Sequence, residues 1–157
     1  MSDLNRDASA GEPFLPALFR PRAARVWAYA IGGLVVAASV VMAIALPAVN
    51  SHWTDRLGFI LFGLAVFWFC HRQASVKILA TEAGVAVRNL FSTQTFEWPE
   101  LFAVRFHVGD PWAHMDLANG DTVSLMALQR ADREYGVAQA KALNTLIQQY
   151  GTADVDH

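Results

Sequence analysis

The chain has 157 residues, 54% of them hydrophobic and only 17% charged, which is lean in charge for a soluble protein of this size. A net charge of -2 gives bulk electrostatics no reason to attract nucleic acid, and the single cysteine, Cys70, excludes an internal disulfide.

The opening stretch MSDLNRDASAGE is polar and is expected to be disordered. The following PFLPALFRP carries three prolines, which exclude a regular helix, and reads as a partly ordered lead-in. Residues 1–19 are therefore expected to form a flexible cytoplasmic tail.

Residues 26–46 form an uncharged run of 21. The preceding arginines and the AIA at 43–45 resemble a secretory signal, but the run is longer than the 7–15 residues typical of a cleaved segment. As a helix it rises about 31 Å, close to the thickness of a bilayer's hydrocarbon core. A second apolar run, LGFILFGLAVFWFC at 57–70, follows; extended to 53–71 it rises about 28 Å. Residues 20–72 are thus expected to be a transmembrane helical hairpin that is retained. Gly33 and Ala37 offer a small-xxx-small pair for close helix approach. Arg20, Arg22 and Arg25 precede the first helix, and His71, Arg72 and Lys77 follow the second; the connecting loop offers only Arg56, beside Asp55. Positive charge favours the inside, so the reading is a multi-pass plasma-membrane protein with both termini cytoplasmic.

Beyond the hairpin the period changes to two. Strands are expected at 75–81, 85–90, 92–98, 101–108, 112–118 and 121–128. Gly84 suits a turn with positive φ, Pro99 ends the third strand, and Asn119-Gly120 is a strong hairpin signal. In the fourth strand Phe102, Val104, Phe106 and Val108 alternate with Ala103, Arg105 and His107, the first set facing the core. Phe91, Phe96, Trp98 and Trp112 are likewise assigned to the core. From 130 to 150 the period returns to helical, with a stripe through Tyr135, Ala138, Ala142, Leu143, Leu146, Ile147 and Tyr150. Gly136 costs this helix roughly 1 kcal/mol against alanine, a conflict that tight packing on the sheet would explain. Residues 73–151 thus form a small antiparallel β-sandwich or partly open barrel with a C-terminal α-helix, and 152–157 a disordered tail.

The stretches FRPRAAR, GVAVRNL, WPELFAVRF and PWAHMDLANGDTVSLMAL, with the closing helix, resemble the membrane-anchored bacterial PH-like domain proteins of actinobacteria, the family of the low-molecular-weight culture-filtrate antigen. The resemblance covers roughly residues 19–150 and implies a PH-like domain after the membrane hairpin. It implies little about function, because a PH fold hosts many activities.

Phosphoinositide-binding PH domains carry clustered bases in the loop between their first two strands. Here that loop is ATEAGV, with Glu82 and no base. His107 and His114, with Asp110 and Asp116, have the donor types for zinc, but they read as outer-face polar residues, and Arg105 beside them would repel a cation. No Gly-rich phosphate loop, nucleophile elbow or zinc-helix motif is present, so neither catalysis nor a cofactor or metal is expected. Cys70 reads as apolar filler. Lys77, Arg88 and Arg105 alternate opposite apolar positions and, with His107, make the candidate partner-facing or lipid-facing surface. The expected function is a membrane-tethered, non-catalytic scaffold or adaptor that binds another membrane or envelope protein at the cytoplasmic face. The alternative is a module that engages anionic lipid at the inner leaflet.

Overall fold

The computed structural model describes residues 14–45 and 52–151; the polar start, most of the connecting loop and the tail at 152–157 lie outside the described residues. The chain divides into two compact units, one comprising Ala23–Ser75 and the other joining the segment before it to everything after it.

The first unit is a helical hairpin. Helix α1 spans Ala23–Ala45 and α2 spans Trp53–Ala74. The second helix starts where the His52 N–H donates to the Asp55 carboxylate at 3.0 Å, which satisfies a backbone donor left over at a helix start. By length and composition both helices are long and apolar enough to cross a membrane, with mean hydropathy of 2.2 and 1.4. They meet through small residues: Ala28, Gly32, Ser39 and Ala43 are the buried positions of α1. A Cβ on Gly32 would lie 3.0 Å from Cys70 Cβ and 3.2 Å from a Phe67 ring carbon, and one on Gly63 would lie 2.8 Å from Ser39 Oγ. The expected pair of Gly33 and Ala37 is off the contact by one residue, since nothing lies within 4 Å of a Cβ on Gly33. Near the ends that feed the rest of the chain, the Tyr29 hydroxyl and His71 Nδ1 are 3.1 Å apart.

The second unit holds two antiparallel sheets. The first has strands β1 (Ala17–Phe19), β2 (Lys77–Thr81), β3 (Gly84–Arg88) and β4 (Thr93–Phe96), paired in that order. The second has β5 (Leu101–Arg105), β6 (Trp112–Leu117) and β7 (Thr122–Gln129). A 3₁₀ turn at Trp98–Glu100 joins the sheets, another at Arg130–Asp132 follows β7, and helix α3 spans Glu134–Gly151.

Strand β1 corrects the flexible-tail reading over its last residues. Ala17, Leu18 and Phe19 pair with Ala80, Leu79 and Ile78, and the Phe19 side chain is fully buried in the core. The sheet unit therefore starts before the hairpin, not at residue 73.

The turn residues act as their chemistry demands. Gly84 takes φ 141° beside the Phe96 carbonyl, and Gly120 takes φ 89° while the Asn119 and Asp121 side chains close the loop around it. Ile78, Val85, Val87, Met115, Leu125 and Leu128 from the strands meet Leu143, Leu146 and Ile147 of α3. The buried stripe of α3 runs through Gly136, Gln139, Ala140, Leu143, Leu146 and Ile147, so Tyr135, Ala138 and Ala142 lie at its margin. Gly136 is there for space: a Cβ would collide with the Gln129 carbonyl oxygen. The helix begins later than residue 130 because Arg133 takes φ 51°, which breaks the helical path.

Strand β5 departs from simple alternation. A bulge between Leu101 and Ala103 resets the faces, so Leu101 is buried while Phe102 is 65% exposed; Val108 lies past the strand and is fully exposed. Phe91, at 77% exposure, also leaves the core to which it was assigned, whereas Trp98 is buried and its indole N–H donates to the Thr81 carbonyl at 3.0 Å.

Candidate functional site

The four residues singled out in the sequence are divided between the two sheets. Lys77 and Arg88 are directly opposite each other across β2 and β3, so their side chains share a face of the first sheet. Arg20, one residue past β1, continues the same register toward Lys77. Two like charges directly opposite each other destabilise a sheet. Among the described residues no carboxylate forms an ion pair with Lys77 or Arg88.

Arg105 belongs to the second sheet and is already engaged: its Nε lies 3.1 Å from Asp116 Oδ2, diagonally across β5 and β6. His107 follows the end of β5. Its Nδ1 lies 3.7 Å from Asp110 Oδ2, and the same oxygen is 3.3 Å from Nδ1 of His114 on β6. The imidazole rings stand edge to face with centroids 5.4 Å apart. Arg130 braces this turn from outside, donating from Nη2 to the His107 carbonyl at 2.7 Å and from Nε to the Asp110 carbonyl at 3.0 Å.

Sequence reasoning missed a third feature. Strand β4 is the last in its sheet, and among the described residues no strand pairs with its outer edge. The Asn89 N–H donates to the Ser92 carbonyl at 2.8 Å, so the alternation of the ladder turns Gln94 and Phe96 backbone groups toward β3 and those of Thr93 and Thr95 outward. Beside this edge lies a cleft of about 620 Å³, lined by Gln94, Phe96, Glu100, Leu117, Asn119 and Asp121 among others. One side comes from the end of β4 and the 3₁₀ turn, the other from the β6–β7 hairpin. The sequence signal for it was present but indirect: three of the four residues of TQTF are polar, and Pro99 follows three residues later. Asn89 holds the other end of this sheet to β7, donating from Nδ2 to the Ser124 carbonyl at 2.7 Å and accepting from the Met126 N–H at 3.2 Å.

Residues 75–143 match the Bacterial PH domain family, and the two sheets with their C-terminal helix fit a PH-like domain. The chain is also similar to uncharacterized proteins of Mycobacterium tuberculosis and Mycobacterium bovis, each 28% identical over 137 residues that cover 85% of this chain and 89% of the relative. No solved structure matches it.

Proposed function

We propose that this protein is a membrane-tethered, non-catalytic PH-like adaptor that takes an extended segment of another membrane or envelope protein onto the outer edge of β4. The observation that carries it is an edge left unpaired among the described residues, beside a cleft of about 620 Å³. An extended peptide added to a sheet edge gains main-chain hydrogen bonds, and pockets for alternate side chains supply specificity. The cleft lining combines the apolar Phe96 and Leu117 with carboxylates at Glu100 and Asp121, which suits a peptide with alternating apolar and basic side chains.

Tethering is part of the proposal. The two apolar helices supply the spans, and the β1–β2 ladder joins the chain before the first helix to the chain after the second. If the hairpin crosses a bilayer, that pairing requires both of its ends to emerge on one side. The arginine bias of the flanks makes that side cytoplasmic. The affiliation to the actinobacterial culture-filtrate antigen family belongs to the same proposal and rests on the sequence resemblance.

A second role is favoured by one observation. Arg20, Lys77 and Arg88 form a cationic row on the first sheet, and two of them flank the hairpin in sequence. Such a row suits anionic headgroups at about 1 kcal/mol per base near the surface. It lies apart from the base-free turn at Glu82, where a phosphoinositide site would be expected.

Crosslinking of the full chain in its own membranes tests the adaptor reading. Thr95→Pro removes an outward-facing N–H while sparing the β3 ladder, and edge strands tolerate proline. It should abolish capture of the partner, whereas Arg88→Glu should leave capture intact. Capture that survives Thr95→Pro and disappears with Arg88→Glu would replace the edge with the cationic row as the binding surface.

A further inference from the structure

The turn between β5 and β6 carries chemistry that the adaptor reading does not use. His107, Asp110 and His114 each offer one ligand atom, and these atoms lie within 4.8 Å of one another. We propose that they hold a divalent transition-metal ion of the zinc class, with a fourth position open to water.

The donor set is right for that class. Two imidazole nitrogens and one carboxylate oxygen suit zinc, and three protein ligands with an open position is a recurrent arrangement. In a tetrahedral zinc site with bonds near 2.0–2.1 Å, ligand atoms sit about 3.3 Å apart. Asp110 Oδ2 is 3.3 Å from His114 Nδ1 and 3.7 Å from His107 Nδ1, so the carboxylate already stands near ligand spacing from both rings, and the set, spread over at most 4.8 Å, closes when the exposed His107 ring swings inward.

An independent observation points the same way. His114 Nδ1 is buried and makes no hydrogen bond, with Asp110 Oδ2 3.3 Å away. A buried polar atom left unsatisfied is costly, and a bound cation would satisfy it. The loop is also set in advance. Arg130 holds the carbonyls of His107 and Asp110, and Gly109, with φ 94°, makes the bend that brings Asp110 between the rings. These contacts use backbone oxygens and leave the three side chains free to ligate.

The objection raised by the sequence was that Arg105 would repel a cation. Its guanidinium is paired with Asp116 at 3.1 Å, which offsets that charge locally. His107 is the outermost ligand, with 57% of its side chain exposed, so the open position faces solvent. The ion would act as a clasp, fixing the end of β5 to β6.

The test uses the tag-free full chain, stripped with chelator and titrated with Zn²⁺ and Co²⁺. Expected results are one ion per chain, a four-coordinate Co²⁺ visible spectrum and a higher unfolding temperature with Zn²⁺. His107→Ala and Asp110→Asn should each weaken binding by at least about tenfold, given that even outer-shell partners are worth 10–100-fold. His107 is exposed, so its removal spares the fold, and His71→Ala in the hairpin should change nothing. An untouched Zn²⁺ affinity in His107→Ala, or no binding by the parent above that variant, would overturn the site and leave an imidazole–carboxylate cluster alone.

Discussion

The two units of this chain are built by opposite rules. In the hairpin the buried positions of α1 are small, Ala28, Gly32, Ser39 and Ala43, while Trp27, Leu34, Val41 and Ile44 are exposed. In the sheet unit Phe19, Ile78, Met115 and Leu125 are buried, and the exposed faces carry the charges. Burying large apolar groups is how a fold gains stability in water. Helices in lipid gain little from it and associate instead through close backbone approach at small residues. The membrane tether proposed above draws its support from this contrast and from two helices long and apolar enough to span.

The sharpest way to break this comparison is at β1, the only described strand of the sheet unit on the N-terminal side of the hairpin. Phe19→Ala removes a fully buried ring and should cost about 3–5 kcal/mol, read as faster hydrogen exchange throughout β2 and β3. Exchange in α1 and α2 should not change. A chain starting at residue 73 should be unstable for the same reason. If Phe19→Ala leaves β2 exchange unaltered, the sheet unit is complete without the segment before the hairpin.

In the hairpin, adjacent glycines separate packing from composition. Gly32→Leu places a side chain against Cys70 and Phe67 and should cost about 1–3 kcal/mol by overpacking. Gly33→Leu faces open space and should stay within about 0.5 kcal/mol. Unfolding of the full chain in nanodiscs distinguishes them, and equal effects would mean that the helices meet on another face.

What the sequence showed and what it hid follow from the range of the signals. Gly84, Asn119-Gly120 and the alternation of β2, β3, β6 and β7 are local, and the elements appear where those residues put them. Strand β1 is three residues long, and its partner lies beyond the whole hairpin, so no local pattern announces it. The bulge at Leu101 reset the faces of β5 without leaving a glycine or proline as a marker. For the candidate sites the residue types were readable but their partners were not. Asp116 reaches Arg105 only through the β5–β6 register, and Asp110 joins His107 to His114 only once the turn closes. The β4 edge is defined by the absence of a neighbouring strand among the described residues, which no single segment encodes.

The smallest predicted effect bears on Arg105. If the residue were held free for a partner, Arg105→Gln would leave folding untouched at every ionic strength. The structure instead gives it Asp116 at 3.1 Å, with the arginine side chain 57% exposed and the carboxylate 25% exposed. Exposed pairs of this kind contribute about 0.2–1 kcal/mol, and salt screens them over a Debye length of roughly 10 Å at 0.1 M. Arg105→Gln should therefore speed amide exchange in β5 and β6 slightly at low salt, and the difference from the parent should vanish near 1 M salt. Asp116 retains the Thr122 hydroxyl at 3.4 Å, so the carboxylate is not stranded by the change. A loss that persists undiminished at high salt would mean that the stem of Arg105 packs on the sheet and that its charge contributes little.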